Sequence, residues 1–415
     1  MKNIAILVDL ELTTYAGGHV KFWERVSYCI KNSNKKFHFS LFFLGNSFKK
    51  KKIVKNVTFY TLKPIISSKF LKPFGVDADA TDLFPINPRL FMILKDFDLI
   101  HTTDQLFTMA KTGLYASRFW KIPLTTSLHT DTPSYSGYYI KKIFKKFHRF
   151  IYYLLIDKMK LHHRIPEKQK LRMNNYLMHC DKGMINDGIS FKKYKFQSDV
   201  LDKISKLSRG VDQNIFKRKK IDKNYFFKKY EITKEDKVIL FSGRIHELKG
   251  VFLLSKTHKI LNKQMKIVSI LAGQNIHGDK CLEIGGSKIK LIGYVDQNEI
   301  SNLYNLCDLF VFPSKYEIGP QVVLEAKSCG AIPVVYPTGG GKRISKSGED
   351  GIIIPKYDSA VWASEIKKLL NDKNKINYMR SKILDEFKPM SWKKIFQKYF
   401  IDEWNLILKL KTFYL

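Results

Sequence analysis

Residues 309–336 read Leu-Phe-Val-Phe-Pro-Ser-Lys-Tyr-Glu-Ile-Gly-Pro-Gln-Val-Val-Leu-Glu-Ala-Lys-Ser-Cys-Gly-Ala-Ile-Pro-Val-Val-Tyr. Two short apolar runs, 309–312 and 332–336, enclose a loop and one helical stretch, which predicts a βαβ unit with buried parallel strands. Glu317 falls in the loop, and Glu325 follows eight residues later, about two helical turns on. Carboxylates at the C-terminal edge of a parallel sheet are placed to accept hydrogen bonds from sugar diols. A surface helix would show such glutamates equally well, so the context has to choose between these readings.

The same rhythm repeats elsewhere in the chain. Strand-like runs occur at 3–9, 37–44, 57–62, 98–101 and 124–128, then again at 238–241, 267–271 and 290–292, with helical stretches between them. This predicts doubly wound α/β sheets, and a chain of 415 residues is long enough for two of them. The five cysteines are widely spaced without a CxxC pair, as expected of reduced thiols in a cytoplasmic protein. The N-terminal stretch reads as a strand, not a leader peptide, and no apolar run reaches the roughly 18 residues of a membrane span. The formal net charge of +35 favours an anionic partner, nucleic acid or an anionic membrane surface. A Lys-rich genome would give the same balance, so charge alone does not choose.

Several loops carry chemistry. Gly17 and Gly18 follow the first strand, where their backbone can approach an anion or sugar closely. His129 stands at the predicted C-terminal end of the 124–128 strand, with Asp131 and Tyr135 just beyond it. Arg244 and Lys249 flank the loop after the 238–241 strand, where two cations can neutralise a diphosphate. Gly339, Gly340 and Gly341 offer further backbone donors, while Asp77-Ala-Asp79 imitates a metal-binding DxD without the strand such a motif needs. Between 140 and 161 apolar residues recur at helical spacing, interleaved with Lys141, Lys142, Lys145, Lys146 and Arg149. That helix, expected at about 140–162, either faces a core or lies in a membrane interface with Phe144, Phe147 and Phe150 inserted.

The pattern of Glu317 and Glu325 with Ala326, Gly330, Pro333, Val334 and Val335 resembles the signature of the retaining enzymes of glycosyltransferase family 4. Four further segments resemble that family in the same order: the Gly17-Gly18 loop, His129-Thr-Asp, Ser208-Arg-Gly-Val-Asp-Gln-Asn-Ile-Phe216 with Arg209 in place of the usual Asn, and Gly243-Arg244 to Lys249-Gly250. Gln321-Val322-Val-Leu-Glu-Ala326 is similar to the branch that glycosylates membrane lipids, although Gly319-Pro320 replaces the usual Phe-Gly and Pro320 has no N–H to offer.

The resemblance implies a GT-B fold, two Rossmann-like doubly wound domains facing a central cleft that closes over the donor. The implied domains are 1–210 for the acceptor, 211–388 for the nucleotide sugar, and a C-terminal helix at 389–415 packing back on the first. It implies transfer of a hexose from a nucleotide diphosphate sugar, with UDP-sugar favoured. His129 and Glu317 would be catalytic. Gly17, Gly18, Arg244, Lys249, Gly319, Gln321, Val322 and Glu325 would hold the donor, and Asp131 and Tyr135 the acceptor. No metal or other cofactor is implied, since the two cations stand in for one. The expected acceptor is a membrane lipid such as diacylglycerol, met at the cytoplasmic face by a peripheral protein. A polysaccharide or lipopolysaccharide intermediate is the alternative acceptor. A nucleic-acid-binding protein is the distant third reading, for which no recognition motif is present.

Overall fold

A computed structural model describes residues 1–13, 17–30 and 36–413. The chain divides into two compact units, residues 1–208 with 392–415, and residues 209–391. In the first, the strands are β1 (Lys2–Glu11), β2 (Phe37–Leu44), β3 (Lys49–Val54), β4 (Val57–Leu62), β5 (Leu99–Thr102), β6 (Leu124–Leu128), β7 (Lys182–Asn186) and β8 (Ile204–Leu207). Their order is β3-β4-β2-β1-β5-β6-β7-β8, parallel except for the antiparallel edge strand β3. The helices are α1 (Gly18–Ile30), α2 (Pro88–Leu94), α3 (Thr108–Trp120), α4 (Thr132–Phe144), α5 (Arg149–Tyr152), α6 (Leu161–Met178), α7 (Phe191–Tyr194) and α8 (Ser198–Leu201). Strand β3 carries Lys49–Lys52, all exposed, and a charged edge discourages pairing with another chain.

The second unit contains α9 (Lys223–Tyr230), β9 (Lys237–Ser242), α10 (Val251–Leu261), β10 (Ile267–Ala272), α11 (Gly278–Gly285), β11 (Ile289–Gly293), α12 (Gln297–Leu306), β12 (Leu309–Phe312), α13 (Gln321–Ser328), β13 (Ile332–Val335), β14 (Ile352–Ile353), α14 (Ser359–Asn371) and α15 (Lys373–Glu386). Its six strands run parallel in the order β11-β10-β9-β12-β13-β14. Leu240, Phe241, Ile270, Leu309, Phe310 and Val334 are fully buried or nearly so, as a sheet covered by helices on both faces requires. Each sheet reverses its winding once, between β1 and β5 in the first unit and between β9 and β12 in the second. In such sheets ligands bind beyond the strand ends at that reversal.

The last segment, α16 (Trp392–Phe396), a wide turn at Gln397–Ile401 and α17 (Asp402–Phe413), belongs to the first unit and not to the one it follows. Phe396 packs edge-on against Phe39 at 5.6 Å, Phe400 against Trp23 at 5.1 Å, and Trp404 against His101 at 5.4 Å. Trp23 and Trp404 are completely buried.

One expectation needs correction. The single basic helix over about 140–162 is instead α4, a turn, α5 and a wide helical turn at Tyr153–Lys158, and Lys160 adopts a left-handed φ of 53° before α6 begins. His148, which caps Phe150 N through Nδ1, restarts the chain after α4. Helix α9 forms within a Lys-rich stretch because Asp222 caps it and Phe226 and Tyr230 are buried. Strands β3, β7 and β8 had no separate signal, β3 because four of its six residues are lysine.

Candidate active site

The winding reversal of the second sheet lies where β9 and β12 end, and the loops leaving those two strands carry Arg244, Lys249 and Glu317. Gly250 makes this approach possible: with φ of 81° it lies so near Pro313 that a Cβ would stand 2.6 Å from the Pro313 carbonyl oxygen. Ser314 Oγ donates to the Leu248 carbonyl at 2.8 Å, which ties the two loops together again. Lys249 Nζ then donates to Glu317 Oε1, both side chains being mostly covered. Burial pushes the Glu317 carboxyl up, but Lys249, Arg244 and Arg209 outweigh it and hold the group below the ordinary glutamate range. Glu317 is therefore a carboxylate at neutral pH, set in a cluster of three cations.

Arg209 is a member of this cluster that sequence reasoning treated only as a replacement for Asn. Gly339 was expected as part of a flexible donor loop, and it donates its N–H to the Glu317 carbonyl at 2.7 Å. A Cβ there would stand 2.1 Å from that oxygen, so only glycine fits. Gly319 is buried ahead of α13, Gln321 Nε2 donates to the Gly210 carbonyl at 2.6 Å, and Val322 is partly buried in the first turn of α13. The first N–H groups of a helix have no acceptor inside it, and Pro320 occupies the cap position without a side-chain bond. Glu325 is buried on the same helix.

The same helix holds a residue with no signal in the sequence. Lys327 is 2% exposed, donates to Asp350 Oδ2 at 2.7 Å and to the Arg343 carbonyl at 3.0 Å, and so anchors the segment that follows the Gly339–Gly341 loop.

In the first unit, Gly17 and Gly18 lie where α1 begins, and residues 14–16 of that loop fall outside the described residues. His129 directly follows β6, is almost completely buried, and its Nε2 lies 2.8 Å from Ser127 Oγ. His19 stacks on it with ring centroids 4.6 Å apart, and Phe22 closes in at 4.7 Å. His19, next to the Gly pair, escaped the sequence reading although its position beside those glycines was the available clue. Asp131 is engaged as the cap of α4: its carboxylate accepts from Ser134 Oγ at 2.7 Å and from Tyr194 Oη at 2.7 Å. Tyr135 is half-buried in the first turn of α4.

The basic segment is exposed. Phe147 is 41% exposed, Phe150 65% and Tyr153 56%, with Lys141, Lys145, Lys146 and Arg149 around them, while Lys142 and Phe144 are partly covered. A second segment unseen in the sequence joins it: Phe74 stacks on Phe147 at 6.5 Å, and Lys146 Nζ donates to the Pro73 carbonyl at 3.0 Å. That short helix, Ser68–Phe74, adds exposed Lys69, Phe70 and Lys72. No described helix is long and apolar enough to cross a membrane.

Two Rossmann-like units, each with a largely parallel sheet that reverses its winding once, define the GT-B class of two-domain proteins. Residues 222–384, within the second unit, match the family model Glycosyl transferases group 1. An uncharacterized glycosyltransferase of Methanocaldococcus jannaschii is 29% identical over 207 residues, 47% of this chain and 52% of that protein. A D-inositol 3-phosphate glycosyltransferase of Thermobispora bispora is 25% identical over 190 residues, 42% and 44% of the two chains. The chain thus spans about half the length of these curated relatives. Anabaena HepE, solved with UDP and glucose, superimposes at a TM-score of 0.67 over 95% of this chain and 97% of its own, at 17% identity, which establishes the fold.

Proposed function

We propose that the protein is a retaining glycosyltransferase that moves a hexose from a nucleotide diphosphate sugar, UDP-sugar by preference, to a membrane lipid such as diacylglycerol. The observation that carries the reaction is the Glu317 carboxylate paired with Lys249 beside Arg244 at the reversal of the second sheet. Arg244 and Lys249 take the diphosphate, Glu317 the transferred sugar and Glu325 the ribose. Both cations stabilise the charge that grows on the leaving phosphate as the anomeric C–O bond breaks with its electron pair. The acceptor oxygen bonds to the anomeric carbon, and its proton passes to the departing phosphate. His129 serves the sugar or the acceptor. The donor preference takes support from the fold shared with a protein solved with UDP.

The test is transfer from a panel of labelled nucleotide sugars to diacylglycerol in anionic vesicles, with Glu317→Ala as control. A labelled glycolipid that disappears in the variant supports the reading. Donor hydrolysis without lipid product keeps sugar transfer and discards the lipid; absence of both turnover and nucleotide binding defeats the proposal. A phosphorylated polyol is the second acceptor to try, favoured by the inositol phosphate relative.

The lipid reading rests on the exposed aromatic and basic surface of residues 68–74 and 141–153. Each base near anionic lipid contributes roughly 1 kcal/mol. Changing Lys141, Lys145, Lys146 and Arg149 to Glu is expected to release the protein from anionic vesicles in a flotation assay while leaving donor hydrolysis intact. Unchanged flotation would remove this surface from the account.

A further inference from the structure

A line of hydrogen bonds runs through the core of the first unit from its last helix to His129. Trp404 Nε1 lies 3.0 Å from Thr125 Oγ1, Thr125 Oγ1 lies 2.8 Å from His101 Nδ1, and His101 Nε2 lies 2.9 Å from Ser127 Oγ. Ser127 Oγ lies 2.8 Å from His129 Nε2. The geometry is a product of the fold. Thr125, Ser127 and His129 alternate along one face of β6 and its end, and His101 is the partner of Thr125 in the neighbouring strand β5. All five side chains are buried.

The direction of the line follows from its first member. An indole N–H can only donate, so Thr125 Oγ1 accepts from Trp404. The single hydroxyl hydrogen of Thr125 then belongs to His101 Nδ1, since neither Thr125 nor Ser127 has another side-chain hydrogen-bond partner among the described residues. The reverse arrangement would bury that hydrogen without an acceptor. His101 is neutral: burial, with His19 adding, drives its imidazole down to about 3. With Nδ1 accepting, a neutral ring must carry its hydrogen on Nε2 and give it to Ser127. Ser127 in turn directs its own hydrogen to His129 Nε2. The stacked His19 ring, 21° from parallel, keeps the His129 plane from turning.

We propose that Trp404, through Thr125, His101 and Ser127, fixes neutral His129 in the tautomer with its hydrogen on Nδ1, making these four positioning residues for whatever His129 serves. This rests on the reading of His129 as part of the transfer site, but the tautomer itself can be read without any substrate. Nε2 is committed as an acceptor within the protein, so the hydrogen of neutral His129 sits on Nδ1.

The experiment is nitrogen NMR of the full-length protein labelled with 15N-histidine, comparing wild type, Thr125→Val, Thr125→Ser and Trp404→Phe, alongside kcat and KM for the nucleotide sugar. Wild type should show His129 with a protonated Nδ1 and a bare Nε2. Thr125→Val keeps the volume but breaks the line, so the single tautomer should give way to a mixture, with kcat falling roughly ten-fold and KM held. Thr125→Ser restores the hydroxyl and should restore both, and Trp404→Phe should resemble Thr125→Val. A wild-type His129 protonated on Nε2, or a Thr125→Val protein with an unchanged His129 tautomer, overturns the proposal even if kcat falls. If wild type transfers no sugar, the glycosyltransferase reading fails and the tautomer measurement still decides this one.

Discussion

Lys249→Ala should lower kcat/KM for the nucleotide sugar by roughly 10²–10³-fold, the range found when one preorganised donor to a developing negative charge is removed. On the proposed reading Lys249 neutralises the leaving diphosphate as well as holding Glu317 ionised, so its loss would act twice. Without it, burial acts against only Arg244 and Arg209, and the Glu317 carboxyl rises from its depressed range. Carbon NMR titration of Glu317 would show that rise directly. Lys249→Arg should not restore activity, because a planar fork does not replace a compact ammonium between a carboxylate and a phosphate. Lys266→Ala, at a lysine 68% exposed and paired with an equally exposed Glu235, is the control and should leave kcat/KM unchanged. Wild-type turnover in Lys249→Ala would remove this cation from the chemistry.

Lys327→Met should cost about 3–5 kcal/mol, because it leaves the Asp350 carboxylate without its cation in a covered site. For a unit of this size that is a fall in melting temperature of roughly 6–20 °C. Burial pushes the Asp350 carboxyl up, while Lys327 and the N–H groups of Ser345 and Lys346 more than reverse it. A carboxyl depressed on folding contributes stability above its unfolded value of about 3.9, and that contribution fades as pH falls further. The gap between variant and wild type should accordingly be widest near neutrality and narrow in acid. Pairing Lys327→Met with Asp350→Asn, which keeps an acceptor for the backbone N–H groups, should recover much of the loss. Calorimetry of the three variants checks this, and equal melting of Lys327→Met and wild type would show the pair to be idle.

The alternating apolar runs were legible because a strand buried on both faces has to be apolar throughout, as 309–312 and 332–335 are. Arg244, Lys249 and Glu317 were legible because each follows such a run at the edge where ligands gather. What escaped depends on contacts between distant positions. His101 had no context in its own neighbourhood, since its meaning comes from Thr125 beside it and from Trp404, which lies 279 residues beyond Thr125. Lys327 follows buried Val323 and Leu324 by four and three residues, on the covered face of its helix, but a lysine by its type reads as solvent-facing, and only the return of Asp350 makes its burial tolerable. The basic stretch at 140–162 kept a helical period through its breaks, so periodicity could not reveal the left-handed Lys160.

The passage of the chain back into its first unit carries a cost during synthesis. Until residues 392–413 have been made, Phe22, Trp23, Phe39 and His101 lack the aromatic side chains that cover them. A ribosome delivers the whole of 209–391 before that cover exists, so the first unit waits, part-built and sticky, while the second is already free to fold. The order of birth and the order of completion are therefore inverted, and a nascent chain stalled after residue 391 would present a chaperone with its earliest-made half still open.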